Sequence, residues 1–177
     1  IWNIFSNNIL PFTLSIGFLQ VSKLKSFVYL SIFAIIFTLS IFSIQDAHAA
    51  TFTVVLDGSW TDPATWGGAV PGAADLKVIP VGFTVKISST VSNSATITNL
   101  GTMNVTNSGI SNSGTITTSG TIIVKNASGA GITNSVSGIL NNNVGGIITV
   151  SNTGGTGITN FGTISNSDTI SVSSSTT

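Results

Sequence analysis

The stretch that decides the fold is residues 97–134, which read ITNLGTMNVTNSGISNSGTITTSGTIIVKNASGAGITN. Three short elements recur in it: an Ile-Ser/Thr-Asn triplet, a Gly-Thr-Ile or Gly-Thr-Met triplet, and a valine followed two residues later by asparagine. Apolar residues alternate with polar ones in each element, which is typical of a strand with one buried face. The Gly, Asn and Ser residues between the elements favour turns. This stretch therefore predicts short strands joined by tight corners.

The elements recur in the same order along the chain, so the region is an imperfect repeat. Aligned on the first triplet, the repeats begin at Ile97, Ile110, Ile132 and Ile158, at intervals of 13, 22 and 26 residues. A unit of about 22 residues has room for three strands and three corners. The 13-residue interval has room for only two strands, so we expect either a coil that is divided differently there or loops that absorb the difference.

A single repeat is too small to bury its own apolar residues, but parallel stacking of successive repeats buries them in a continuous column. We therefore predict an all-β fold, a parallel β-helix or β-solenoid, with imperfect repeats over residues 91–177 and about four coils from residue 84 onward. A β-sandwich is the alternative, but the repeats lack the Asn-Gly and Asp-Gly turns that antiparallel hairpins favour. The aligned asparagines are expected to stack as an amide ladder at one corner; they are Asn99, Asn112, Asn134 and Asn160.

A second distinctive stretch precedes the repeats: residues 57–87, DGSWTDPATWGGAVPGAADLKVIPVGFTVKI. Its spacing resembles the opening of the glycine-octad (G-eight) domain and the related N-terminal segments of secreted, adhesin-like β-solenoid proteins of bacteria and archaea. The matching residues are Trp60, Thr65, Trp66, Gly67, Gly68, Pro71, Gly72, Asp75, Val78, Pro80, Gly82 and Val85. The resemblance implies an extracellular β-solenoid. Some relatives bind or act on polysaccharide, but the match carries no catalytic residue across.

The residues themselves predict that residues 50–90 form an N-terminal cap with short strands. The end of a stack of β-coils exposes apolar surface and unpaired backbone, which bulky aromatic side chains on a turn-rich segment can cover. Trp60 and Trp66 are the candidates for covering it. The alternative role for one of them is stacking on a sugar.

Five further polar residues are candidate sites. Asp57, Asp62 and Asp75 are expected to cap turns through hydrogen bonds, and the alternative is a weak cation site of the calcium type. Asn104 and Asn126 each begin an Asn-X-Ser/Thr triplet, which is the acceptor pattern for N-linked glycosylation.

The first 49 residues predict an export signal. Two lysines precede a mostly apolar run over residues 27–44, and small residues follow this run. The three-part pattern is typical of a secretory signal peptide, here over residues 21–49, with cleavage between Ala49 and Ala50. The alternative is a hydrophobic helix retained as a membrane anchor, because the run is just long enough to span a bilayer.

Residues 1–20 do not fit the basic start of a signal peptide. One hypothesis is that they are an upstream or non-native extension and that Val21 marks the true start. The rival is a second membrane segment, which Pro11 and the nearby asparagines disfavour. At the other end, the last repeat has no aromatic or charged closing segment, so we expect a truncated chain that continues in a longer protein.

Composition narrows the range of functions. Of the 128 residues from Ala50 to Thr177, 73 are Gly, Asn, Ser or Thr, and none is His, Cys, Glu, Arg or Tyr. Three lysines and four aspartates are the only charged residues there. This inventory excludes the basic surface of a nucleic-acid-binding protein and leaves an enzyme without a plausible acid–base pair. No cofactor and no metal are expected.

The sequence therefore predicts a non-enzymatic protein of structural or adhesin-like type, secreted or at the cell surface. Its expected partners are cell-surface glycans or other surface proteins, with no nucleic acid, and with a membrane only through residues 27–44 if that run is not cleaved. One alternative is a carbohydrate-binding or carbohydrate-active extracellular protein whose active region lies outside this sequence. A second alternative is binding of ice or a crystal surface through the outward threonines Thr96, Thr98, Thr115 and Thr117.

Overall fold

The computed structural model describes residues 28–29 and 49–173. The chain divides into two compact units, residues 1–47 and residues 48–177. In the first unit only Val28 and Tyr29 are described, and both are helical. The expectations for the N-terminal extension, for a start at Val21 and for the signal peptide or anchor therefore lie outside the described residues. No helix in the described part of the chain is long and apolar enough to cross a membrane.

Over residues 49–173, the second unit consists of short strands and one turn of 3₁₀ helix at Pro63–Trp66. The strands are β1 Thr51–Thr53, β2 Gly58–Ser59, β3 Leu76–Ile79, β4 Thr84–Ile87, β5 Val91–Asn93, β6 Thr96–Asn99, β7 Thr102–Thr106, β8 Ile110–Asn112, β9 Thr115–Thr118, β10 Thr121–Lys125, β11 Ile132–Asn134, β12 Ile139–Asn142, β13 Ile147–Ser151, β14 Ile158–Asn160, β15 Thr163–Asn166 and β16 Thr169–Ser173.

These strands form three parallel sheets. The first sheet has the order β1-β3-β6-β9-β12-β15, the second has the order β16-β13-β10-β7-β4-β2, and the third has the order β14-β11-β8-β5. From β3 onward, successive strands enter the first, second and third sheets in turn, so that three strands make one coil. The predicted parallel β-solenoid is confirmed, and it has about six coils.

The alignment of repeats on Ile97 is wrong. Ile97 lies on β6 in the first sheet, whereas Ile110, Ile132 and Ile158 lie at the starts of strands in the third sheet. The residue that pairs with Ile110 from the preceding coil is Val91. The 13-residue interval is therefore a step from one face to another, and it is not a coil. The error arose because an Ile-Thr-Asn triplet fits two different faces of the same stack.

Alternation of side chains along each strand builds the core. In β10, for example, Ile122 and Val124 point inward and are fully buried, whereas Thr121 and Ile123 are only half-buried on the outer side. The parallel register places equivalent residues above one another, so Ile122 lies between Met103 and Ile148. Each coil covers the apolar residues of its neighbour, which a single coil could not bury alone.

Asparagine also forms corners. Asn107, Asn126 and Asn152 follow β7, β10 and β13 and adopt positive φ angles of 59°, 56° and 50°. Asparagine is one of the few residues with a side chain that tolerates this left-handed conformation. The same bend therefore recurs after the second sheet in three successive coils.

Candidate functional site

A ladder of four asparagines follows the third sheet and is called here the asparagine ladder; Asn93, Asn112 and Asn134 are buried, and Asn160 is exposed. In each step the Nδ2 atom of one residue donates to the Oδ1 atom of the next, and all three distances are 2.8 Å. The Nδ2 atoms of Asn93, Asn112 and Asn134 also donate to two backbone carbonyls each. The predicted ladder is thus confirmed for Asn112, Asn134 and Asn160.

Asn99 does not belong to this ladder, contrary to the prediction. It lies at the end of β6 in the first sheet, in register with Thr118, Asn142 and Asn166. Asn99 donates to the Thr118 hydroxyl over 3.0 Å, and Asn142 donates to Asn166 over 2.7 Å. The Thr118 hydroxyl instead donates to the Gly120 carbonyl, so this second series is interrupted. The Oδ1 atoms of Asn99 and Asn142 are buried without a hydrogen-bond partner.

A buried lysine binds the first residue of the asparagine ladder. The Lys77 side chain is 1% exposed, and its Nζ donates to the Ala73 carbonyl over 2.8 Å and to Asn93 Oδ1 over 3.1 Å. Burial lowers the pKa of the Lys77 ammonium, and the nearby Asp75 carboxylate partly opposes this effect. Lys77 is therefore the terminal donor of the ladder.

Trp60 and Trp66 pack against each other inside the second unit. They are 7% and 4% exposed, and their ring centroids lie 4.9 Å apart at an interplanar angle of 77°. Trp66 Nε1 donates to the Trp60 carbonyl over 2.8 Å. The 3₁₀ turn presents Trp66 to this contact, and Asp62 caps the turn. Neither ring offers an open face, so sugar stacking would require the pair to open.

The three aspartates of the N-terminal stretch each accept hydrogen bonds from backbone. Asp57 accepts from the Thr84 amide over 2.8 Å, and Asp62 accepts from the Ala64 amide over 2.9 Å. Asp62 thus makes the predicted turn-capping contact, whereas Asp57 binds the first residue of β4, far along the chain. Asp75 accepts from the Gly72 amide and, through its other oxygen, from the Ala50 amide. Across residues 28–29 and 49–173, no group of three or more acidic, His or Cys side chains could hold a metal ion.

The outer faces carry columns of small polar side chains. On the first sheet, Thr96 pairs with Thr115 and Thr98 pairs with Thr117, so the four threonines named above lie in register on two adjacent coils. In the flanking coils Val78 and Asn141 continue the column of Thr98 and Thr117, and Ile139 follows Thr115 in the other column. The regular threonine array is therefore two coils wide.

A shallow cleft of about 250 Å³ lies where the second sheet turns into the third. Its lining is entirely uncharged and consists of small, hydroxyl and amide-bearing residues together with Ile110. The hydroxyl and amide groups belong to Thr90, Asn107, Ser108, Ser111, Ser128 and Thr133. The cleft is suited to neutral, hydrogen-bonding ligands. No sequence pattern indicated this cleft, because its walls come from the corners of three different coils.

The predicted glycosylation acceptors occupy different surroundings. Asn104 points outward from the middle of β7, between Lys86 and Ile123 of the adjacent strands, and it is half-buried. Asn126 is exposed at a left-handed corner. Of the two, Asn126 is the more accessible.

Comparison of the chain with protein-family models, with curated protein sequences and with solved structures returns no match. The resemblance to the glycine-octad domain therefore rests on its own residues alone.

Proposed function

We propose that this protein is exported and acts at the cell surface or outside the cell as a non-enzymatic β-solenoid of structural or adhesin-like type. The observation that carries the proposal is the regular stack: three parallel sheets present outward side chains at the fixed spacing of the coils, and most of these are threonine, serine or asparagine, with Lys86, Ile123 and Lys125 among them. A surface of this kind offers many equivalent weak contacts to a second surface, and such contacts gain strength when many are made together.

The glycine-octad-like stretch supports the same proposal. Trp60 and Trp66, with the 3₁₀ turn between them, act as the N-terminal cap of the stack. Their burial within the common core supports this role. The carboxylates of Asp57 and Asp62 are engaged by backbone amides. This arrangement supports a structural role for the stretch over a catalytic one, because a catalytic carboxylate has to reach a substrate.

Two measurements test the proposal. Fractionation of cells that produce the 177-residue chain is expected to place it outside the cytoplasm. Beads that carry the protein at high density are expected to be retained on glycan-coated or cell surfaces far more strongly than single molecules are. A protein that remains in the cytoplasm, or dense beads that are retained on none of these surfaces, would contradict the proposal.

Paired variants identify the contact face. Thr98→Lys with Thr117→Lys alters one column of the first sheet in two adjacent coils, and Thr149→Lys with Ser171→Lys is the matched change on the second sheet. Loss of retention with only one pair assigns contact to that face.

Carbohydrate binding is the second candidate, favoured by the uncharged, hydroxyl-lined cleft. Ser111→Trp is expected to fill this cleft and to abolish binding of a soluble saccharide by the isolated molecule. Retention that depends only on bead density would instead favour the extended faces of the sheets as the contact surface.

The alternative of ice binding predicts thermal hysteresis. The threonine array on the first sheet extends over only two coils, which disfavours ice binding because contact with ice needs a wider regular face.

A further inference from the structure

The backbone of Ala50 is bound at both of its polar groups by consecutive residues of the next coil. Its amide nitrogen donates to Asp75 Oδ1 over 3.0 Å, and its carbonyl accepts from the Leu76 amide over 2.8 Å. Strand β1 begins at the following residue, where Thr51 pairs with Leu76. Ala49, one residue earlier, is exposed. Ala50 is thus the point at which the chain joins the first sheet.

Asp75 is held in position by its own turn. Its second carboxylate oxygen, Oδ2, accepts from the Gly72 amide over 2.8 Å, and its backbone amide donates to the Gly72 carbonyl. The carboxylate is therefore oriented independently of Ala50. The other charged group nearby is Lys77, whose Nζ is engaged by Ala73 and Asn93. One negative charge consequently faces the nitrogen of Ala50 directly.

We propose that Ala50 is the first residue of the mature protein and that its α-ammonium group forms an ion pair with Asp75, which fastens β1 to the first sheet. This inference rests on the export proposed above. An endoprotease would hydrolyse the Ala49–Ala50 peptide bond. Water supplies the oxygen of the new Ala49 carboxylate, and the nitrogen of Ala50 gains the protons of an ammonium group. A neutral amide donor becomes a charged donor without any movement of the acceptor.

The geometry favours this one start residue over its neighbours. A chain that began at Ala49 would carry its charge one residue, about 3.8 Å, further along the backbone, and Ala50 would keep a neutral amide. A chain that began at Thr51 would lose both hydrogen bonds of Ala50. Only cleavage between Ala49 and Ala50 places an ammonium group on the nitrogen that contacts Asp75.

The decisive comparison uses two forms of the chain that begins at Ala50. The buried apolar core lies between Val54 and Val150, so this chain retains all of it. One form has a free α-amine, released from a cleavable fusion, and the other is acetylated there, which keeps an N–H donor but removes the charge. In urea unfolding at pH 6.5 and low salt, the free-amine form is expected to have a folding equilibrium constant about two- to fivefold larger, as for an exposed ion pair.

Two variants and a pH series control for other effects. Asp75→Asn is expected to abolish the difference between the two forms, whereas Asp57→Asn, which alters another backbone-binding carboxylate, is expected to preserve it. The difference is fully present below the usual α-amine pKa of about 8 and disappears as the pH rises through the raised pKa of the folded form. Lys77 is common to both forms, so its titration cancels. Equal stability of the two forms, or a difference that survives in Asp75→Asn, would overturn the ion pair.

Export is tested separately. Sequencing the N-terminus of the exported protein is expected to give Ala50 first, and another start residue would overturn the processing step. A chain that is never exported would count against the proposed function. The stability comparison uses purified protein and does not depend on that result.

Discussion

At the scale of single residues, Lys77 is the least expected part of the core. It occupies the inward column that continues as Ile97, Ile116 and Leu140 in the following coils. An aliphatic residue there would pack equally well but would leave Asn93 Oδ1 and the Ala73 carbonyl without their donor. Buried polar atoms that lose their partners are costly. Burial of the Lys77 amine is unfavourable, but this amine satisfies both acceptors at the start of the ladder.

The lowered pKa of Lys77 gives a prediction for the effect of pH on stability. The folded protein releases this proton at a lower pH than the unfolded chain does, so the free energy of unfolding rises with pH between the folded pKa and about 10.5. Relative to Lys77→Met, the wild-type protein should therefore gain stability in urea unfolding as the pH increases through that window. The matched control is Lys86→Met, which removes a lysine from the exposed outer side of β4. A wild-type advantage that stays constant with pH would contradict this prediction.

The glycine that begins each Gly-Thr-Ile element is required for a steric reason. A Cβ atom at Gly114 would overlap the carbonyl oxygen of Ala95 in the preceding coil, and one at Gly120 would overlap that of Gly101. Backbones of adjacent coils come too close at these corners for any side chain. This explains why the motif recurs at both corners.

Gly114→Ala is accordingly expected to lower the free energy of unfolding by about 2 kcal/mol or more, because backbone has to move. Gly129→Ala is the matched control, since a Cβ there meets nothing within 4 Å. It should change stability by no more than about 0.5 kcal/mol. Thermal unfolding of the two variants measures the difference, and equal effects would refute the steric explanation.

At the scale of elements, the asparagine ladder links coils that the sheets already join. Asn134 is its best test, because it accepts from Asn112 and donates to Asn160 and to the Gly138 and Thr163 carbonyls. Asn134→Ala should cost about 2–4 kcal/mol, since several buried groups lose partners together. Asn141→Ala, on the outer side of β12, should cost no more than about 0.5 kcal/mol. If urea unfolding showed a similar loss of stability in both variants, the asparagine ladder would contribute little to the stability of the stack.

At the scale of the whole second unit, stability is expected to vary along the stack. The inward residues of β10 are fully buried between two coils, whereas β16 has only one half-buried residue, Ile170, and the rest of the strand is exposed. Stacked repeats contact only their neighbours and can open from an end. In hydrogen exchange of the chain from Ala50 to Thr177, the amides of β16 should exchange at least about tenfold faster than those of β10. Uniform exchange would indicate that all coils open as one unit.

The fold was predictable from the sequence because alternation and repetition act over many residues at once. The face to which a given triplet belongs was not predictable, because Ile97 and Ile110 carry the same local pattern on different sheets. The role of Lys77 was hidden for a related reason. It lies between Leu76 and Val78, which are apolar but point outward, so local alternation does not identify the inward side. The partner of Ala50 depends on register between distant segments, which no local pattern encodes.

The uniform direction of the asparagine ladder gives the interior an electrical polarity. The Nδ2 atoms of Asn93, Asn112 and Asn134 each donate to the asparagine of the following coil, so the amide dipoles add, and the acceptor end of the ladder lies at Asn93. The amine of Lys77 sits at that negative end, as a basic side chain does at the carboxyl end of an α-helix. Each further coil that continues the ladder would lengthen this dipole, while a single lysine at its origin would still complement it.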